Sequence, residues 1–169
     1  MNIFHLDKNP KICAEYHCDK HVVKMILEYA QILCTVHHLC NSSPNPKLYK
    51  PAFKNHPDTI WARATTGNYC WLYLLFRHLC KEYTYRYNKV HITEKKLLEI
   101  LNIIPDQIKI GNITRLPQCM FDDVKHKNEI IAYHQFYNIY KRPFCTWTNR
   151  EKPYFFKNIS ENNELKQDS

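Results

Sequence analysis

Glycine is almost absent from this 169-residue chain. Only Gly67 and Gly111 occur, so neither a phosphate-cradling Walker loop nor a dinucleotide fingerprint can be built, since both need several glycines to bring backbone amides against phosphate. Also missing is any run of eighteen apolar residues that could span a bilayer. The first residues, Met1-Asn2-Ile3-Phe4-His5-Leu6-Asp7, lack the basic segment, apolar stretch and small-residue cleavage site of a secretory signal, so an intracellular location, the cytoplasm or nucleus of a host cell, is expected rather than export. No Cys-x-x-Cys or His-Glu-x-x-His pattern is present. In that setting the eight cysteines read as reduced thiols packed as small hydrophobes, not as a disulfide framework.

What is present is an apolar fraction of 44% and an aromatic fraction of 14%, which suit a globular domain of ordinary size. The charge is +8, from 24 Lys and Arg against 16 Asp and Glu. An anionic partner is expected, and nucleic acid is the commonest one for a basic domain. The pattern predicts a mainly α fold, a compact single-domain helical bundle over 1–157 with a short extended N-terminal arm and a polar, disordered tail at 158–169.

One helix is predicted over 11–39, ending at the loop Asn41-Ser42-Ser43-Pro44-Asn45-Pro46. A basic stretch follows, with Lys47, Lys50 and Lys54 interleaved with Tyr49 and Phe53. Pro57 suits the first turn of a short helix through Arg63, which Gly67 could close in a left-handed cap. A second long helix is expected from about 68 to 87, with no polar face in its first half. Thr93 can cap a short helix through Leu101, 103–127 reads as irregular, and a last helix covers 128–141 before Pro143.

At about 100° per residue, His17, Lys20, His21, Lys24, Glu28, Gln31 and Thr35 fall within one narrow sector of the first helix. The rest of that helix from Val22 to Cys34 is almost wholly apolar, so the sector faces either a strip of solvent or a cleft. In solvent, Lys20, Lys24 and Glu28 would merely pair at helical spacing. In a cleft, Lys24, Glu28 and His21 would offer an amine, a carboxylate and an imidazole to one substrate, a set suited to acid–base or imine chemistry. Cys13, His17 and His21, or Cys34, His37, His38 and Cys40, form a rival metal-binding pattern, but without the paired ligand spacing of zinc sites; neither metal nor cofactor is expected.

Basic side chains alternate with rings near the end of the chain: Lys141, Arg142, Arg150, Lys152 and Lys157 among Phe144, Trp147, Tyr154, Phe155 and Phe156. Cations for phosphate beside rings for stacking suit a distorted or single-stranded nucleic acid. The expected nucleic-acid contacts are His17, Lys20, Lys54, His56, Arg63, Asn68, Arg86, Lys89, Arg142, Trp147 and Arg150. Arg63, on an otherwise apolar short helix, calls for an anionic partner such as Glu28, Glu82 or a phosphate.

The run from Tyr16 to Met25, with Asn55-His56-Pro57, Asn68-Tyr69-x-Trp71-Leu72 and Glu82-Tyr83-x-x-Arg86-Tyr87, resembles a family of uncharacterised proteins from phages and large DNA viruses. Leu116-Pro117-Gln118, Asp122-Asp123, the helix from Asn128, and Arg142-Pro143 with Thr146-Trp147 resemble the second half of the pyrimidine-dimer DNA glycosylases of the endonuclease V type. That resemblance implies a small all-helical enzyme acting on damaged duplex DNA, with a buried N-terminal arm and a catalytic Glu on the first helix. It further implies attack by an amine on sugar C1′, imine formation and strand cleavage by elimination. The family's nucleophile is the α-amine of a Thr exposed by loss of Met1, where this chain has Asn2, so the amine would be that of Met1 or of Lys24, with Glu28 as the carboxylate. A non-catalytic viral nucleic-acid-binding or host-interaction protein, and an enzyme of free nucleotides, are the other readings of the same residues.

Overall fold

A computed structural model describes residues 2–156. Met1, Lys157 and the tail expected at 158–169 therefore lie outside the described residues. Among the described residues six α-helices follow one another: α1 Pro10–Tyr16, α2 Asp19–Cys40, α3 Pro57–Ala62, α4 Thr66–Tyr87, α5 Ile92–Leu101 and α6 Glu129–Phe136. No strand occurs among the described residues, as expected for a mainly α chain. Nor is any helix there long and apolar enough to cross a membrane.

The single helix expected over 11–39 is two. Asn9 caps α1 by accepting from Lys11 N–H, and Pro10 sits where a missing N–H costs nothing. The break comes at His17, whose Nδ1 lies 2.7 Å from the Cys13 carbonyl, the acceptor that a continuing helix would offer to the His17 backbone N–H. With that carbonyl taken by a side chain, His17 and Cys18 turn extended and α2 restarts at Asp19.

Asp19 also anchors the C-terminal segment, which sequence periodicity could not reveal. Its backbone N–H donates to the Thr146 carbonyl at 2.8 Å, and its carboxylate accepts from the Thr146 hydroxyl and the Thr148 N–H. The Arg86 guanidinium completes the set at 3.0 Å.

Both α1 and α2 pack chiefly on α4. The first turn of α4 has orphan N–H groups, as every helix start does. The extended segment 109–114 takes them up: Thr66 N–H donates to Lys109, Gly67 N–H to Gly111, and the Asn68 side chain exchanges hydrogen bonds with Thr114. This overturns the cap expected at Gly67. It is helical, within α4, and a Cβ there would lie 2.4 Å from Ile113 N, so glycine is required for close backbone approach and not for a positive φ. His91, not Thr93, caps α5, and the last helix stops at Phe136, passing through a π turn at Tyr137–Lys141 and a 3-10 turn at Arg142–Phe144.

Four tyrosines, Tyr29, Tyr69, Tyr133 and Tyr137, are among the largest fully buried side chains. Each hydroxyl has a partner: His17 and the Phe4 N–H for Tyr29, His37 and the Leu101 carbonyl for Tyr69, Asn2 and the Pro117 carbonyl for Tyr133, and His21 for Tyr137. A buried ring with a satisfied hydroxyl gains its apolar area without a desolvation penalty. Residues 2–6 thread between these rings as a buried extended arm, with the Ile3 N–H bonded to the Asp58 carboxylate.

Candidate active-site cleft

Where the arm meets α2, a cleft of about 200 Å³ opens, lined by Asn2, Phe4, His21, Lys24, Met25, Glu28, Phe136 and Lys141. The three α2 residues singled out by spacing are thus brought together, Lys24 Nζ lying 3.0 Å from Glu28 Oε1. The polar sector of α2 is graded rather than uniform: Lys20 and Lys24 stand in solvent, Glu28 and Gln31 are half-buried, and His21 and Thr35 are buried. Val23 and Leu27, expected inside, are 44% and 45% exposed beside the lysines. The cleft mouth is therefore cationic while its wall carries the carboxylate.

His21 is held on two sides. Its ring stacks on Phe4, centroids 4.1 Å apart, and Nδ1 lies 2.5 Å from the Tyr137 hydroxyl. Beneath it, a hydrogen bond from Cys145 pulls the Cys18 thiol below its ordinary range. Asn2 is fixed by donating to the Cys119 carbonyl at 2.7 Å and accepting from the Tyr133 hydroxyl at 2.7 Å. The residue that follows Met1 in sequence thus lines the same cavity as Lys24 and Glu28.

Sequence reasoning placed Lys141 on the basic tail and left Asn2, Phe4 and Phe136 out of the site. Lys141 reaches the cleft because the π turn after α6 shifts the helical register, and its ammonium lies 4.5 Å from the Phe136 ring centroid. Partial burial, then the Lys24 cation, lower its pKa. Nothing in local spacing could have joined 2, 21–28 and 141.

Several expected nucleic-acid contacts are instead internal. His17 is fully buried between the Cys13 carbonyl and the Tyr29 hydroxyl, and burial lowers its pKa to about 3, so it stays neutral and out of reach of phosphate. Asn68 is fully buried on Trp61 and Thr114, and Trp147 is buried with its indole N–H on the Tyr16 carbonyl. Arg86 is buried and divided between Glu82 at 2.8 Å and Asp19 at 3.0 Å. Arg150 commits its guanidinium fork to the same Glu82. Arg63 meets no carboxylate among the described residues; it donates to the Lys54 carbonyl.

Other expected contacts stay at the surface. Lys54 and Lys89 are exposed, and Lys20 lies over the Phe144 ring at 4.9 Å. Arg142, over the Phe156 ring, donates to Asn138. His56 is half-buried at the start of α3, where it accepts from the Asp58 N–H.

Two further features come only from the tertiary structure. A basic groove of about 610 Å³ is lined by Arg115, Lys125, His126 and Lys127 with Leu116, Pro117 and Gln118; it touches the cleft's surroundings through Pro117 and Tyr133 but has no carboxylate in its lining. His56, Asp58 and Cys119 bring ligand-type atoms within 4.8 Å of one another. Asp58 accepts from Ile3 N–H and from the Cys119 thiol, and His56 Nδ1 accepts from Asp58 N–H. Burial raises the Asp58 pKa to about 6.

A family model described as pyrimidine dimer DNA glycosylase matches residues 1–95, which include the buried arm and the whole of α2. No curated protein and no solved structure matches the chain. With more than half of its length covered, the chain belongs to the pyrimidine dimer DNA glycosylase family.

Proposed function

We propose that this protein excises a base at pyrimidine-dimer-type lesions of duplex DNA through an imine intermediate, with Glu28 as the assisting carboxylate and the amine supplied by Met1 or Lys24. The observation that supports this reading is the pairing of Lys24 and Glu28 at 3.0 Å at the mouth of a cleft that Asn2 also lines. An amine and a carboxylate within reach of one sugar are what the chemistry asks for.

In the first step the amine lone pair bonds to C1′ while the C1′–N bond breaks. The base leaves with that electron pair and takes up a proton. Loss of an amine proton and opening of the sugar ring give the imine. Glu28 then accepts a proton from C2′, and the C3′–O bond breaks to release the strand as a phosphate. Before that, the same carboxylate offsets positive charge developing on the sugar. In this reading His21, held by Phe4 and Tyr137, passes protons at the cleft wall. Lys141 in the cleft and the exposed Lys20, Lys54 and Lys89 supply phosphate contacts, a salt-sensitive contribution.

Borohydride trapping on duplex carrying a thymine dimer or an abasic site tests the mechanism. A covalent adduct is expected from the unaltered protein. Its persistence in Lys24→Ala assigns the amine to the N-terminus; its persistence after N-terminal acetylation assigns it to Lys24. No adduct under any condition, with DNA binding intact, refutes the imine route. Glu28→Gln should reduce excision by about 100-fold or more while leaving affinity in place.

A further inference from the structure

Three non-glycine residues among those described have positive φ: Asn88, Asn149 and Phe53. The two asparagines adopt that conformation readily, whereas a bulky aromatic does so only under constraint. Phe53 has φ 52° and yet gains little burial in return, its side chain being 65% exposed. Strain and an exposed ring together mark a residue shaped for something outside the protein.

The surrounding contacts hold the backbone in that conformation. On the preceding side, the Thr35 hydroxyl accepts from Ala52 N–H at 3.0 Å, and its proton is shared between the Gln31 carbonyl at 2.8 Å and the Ala52 carbonyl at 3.1 Å. On the following side, His56 N–H donates to the Phe53 carbonyl and Arg63 donates to the Lys54 carbonyl. Thr35 closes the polar sector of α2 that also carries Glu28, and His56, three residues after Phe53, feels the Glu28 charge. The loop therefore packs along the α2 face that carries Glu28, with the exposed Phe53 flanked in sequence by the exposed cations Lys50 and Lys54.

We infer that Phe53 is a stacking wedge: its ring inserts into the base stack beside the lesion and holds the duplex open, while Lys50 and Lys54 neutralise the adjoining phosphates. Nucleobase faces bind aromatic rings without regard to sequence, and chemistry at a sugar inside a duplex needs the stack disturbed. The inference rests on the glycosylase reading only in taking duplex DNA as the substrate.

The test uses Phe53→Gly, which removes the ring and suits a positive φ, so the melting temperature should hold or rise. The probe is a duplex with 2-aminopurine beside a dimer whose sugar is 2′-fluorinated to resist excision. Binding of the unaltered protein should raise 2-aminopurine fluorescence, and Phe53→Gly should abolish that rise at saturating protein. On cleavable substrate, Phe53→Gly should slow excision about 5- to 100-fold in duplex and leave single-stranded substrate unaffected, whereas Phe53→Trp retains the duplex rate. A fluorescence rise that survives in Phe53→Gly, an equal loss on both strand forms, or no rise from the unaltered protein overturns the wedge. A rise without any excision of the cleavable lesion would instead sink the glycosylase reading and leave the wedge standing.

Discussion

Acid should unfold this protein partly through His17, and the size of the effect follows from its burial. The ring is fully buried and its pKa is lowered to about 3, by desolvation first, with the Cys13 carbonyl opposing and the nearby His21 and Arg86 adding to the shift. An unfolded chain protonates histidine near 6.5. The folded state therefore binds its proton later, so stability is intact above pH 6.5 and falls as pH drops toward 3, by about 1.4 kcal/mol per unit for this one group. At pH 5 the loss is roughly 2 kcal/mol. His5 and His37, held neutral at about 4 chiefly by burial, act in the same direction. Asp58 acts against them: its pKa, raised to about 6, makes the folded state the first to protonate, so its penalty fades as pH falls below 6. In urea titrations, His17→Gln should cost about 1 to 3 kcal/mol at pH 7 through the weakened Tyr29 contact. That deficit should shrink by about 2 kcal/mol at pH 5, because the variant no longer has a histidine to protonate. A deficit that stays constant between the two pH values would refute the claim that His17 is buried and neutral.

Gly67→Ala should destabilise by about 1 to 3 kcal/mol despite alanine's better helix propensity, because its Cβ would meet Ile113 N at 2.4 Å and Asn112 C at 2.5 Å, both backbone; thermal melting reads this directly, and an unchanged melting temperature would contradict the close approach. Arg86→Met leaves Asp19 without its cation and the buried Glu82 with Arg150 alone, and should cost about 3 kcal/mol in urea unfolding. The same variant should leave the salt dependence of DNA binding unaltered, since Arg86 meets carboxylates and not phosphate; a slope reduced by about one would show otherwise.

The stripe on α2 was readable without any structure because helical spacing alone puts Lys24 and Glu28 one turn apart, and the structure keeps them 3.0 Å from one another. Which cationic residues serve the surface was not readable. Arg86 and Lys89 stand three residues apart at the end of one long periodic segment, yet one is buried in an ion-pair network and the other exposed. A charged side chain carries no local mark of whether a carboxylate from a distant segment will meet it. Arg86 pairs with Glu82 one turn away on α4, but it meets Asp19 only because α2 packs on α4, and Arg150 meets Glu15 and Glu82 only because the C-terminal segment folds back over α1 and α4.

The break at His17 has the same origin. Its propensity and spacing read as continuous helix, and the alternative hydrogen bond from its ring competes successfully because Tyr29 and the arm enclose that ring. By itself, then, the sequence determined the mainly α class, the long helices and the amine–carboxylate pair, since these follow from residue spacing over a few turns. Only the tertiary structure decided which polar residues line the cleft with Asn2 and Lys141, which are consumed inside the fold, and that Phe53 is held outward under strain, because each depends on partners tens of residues away.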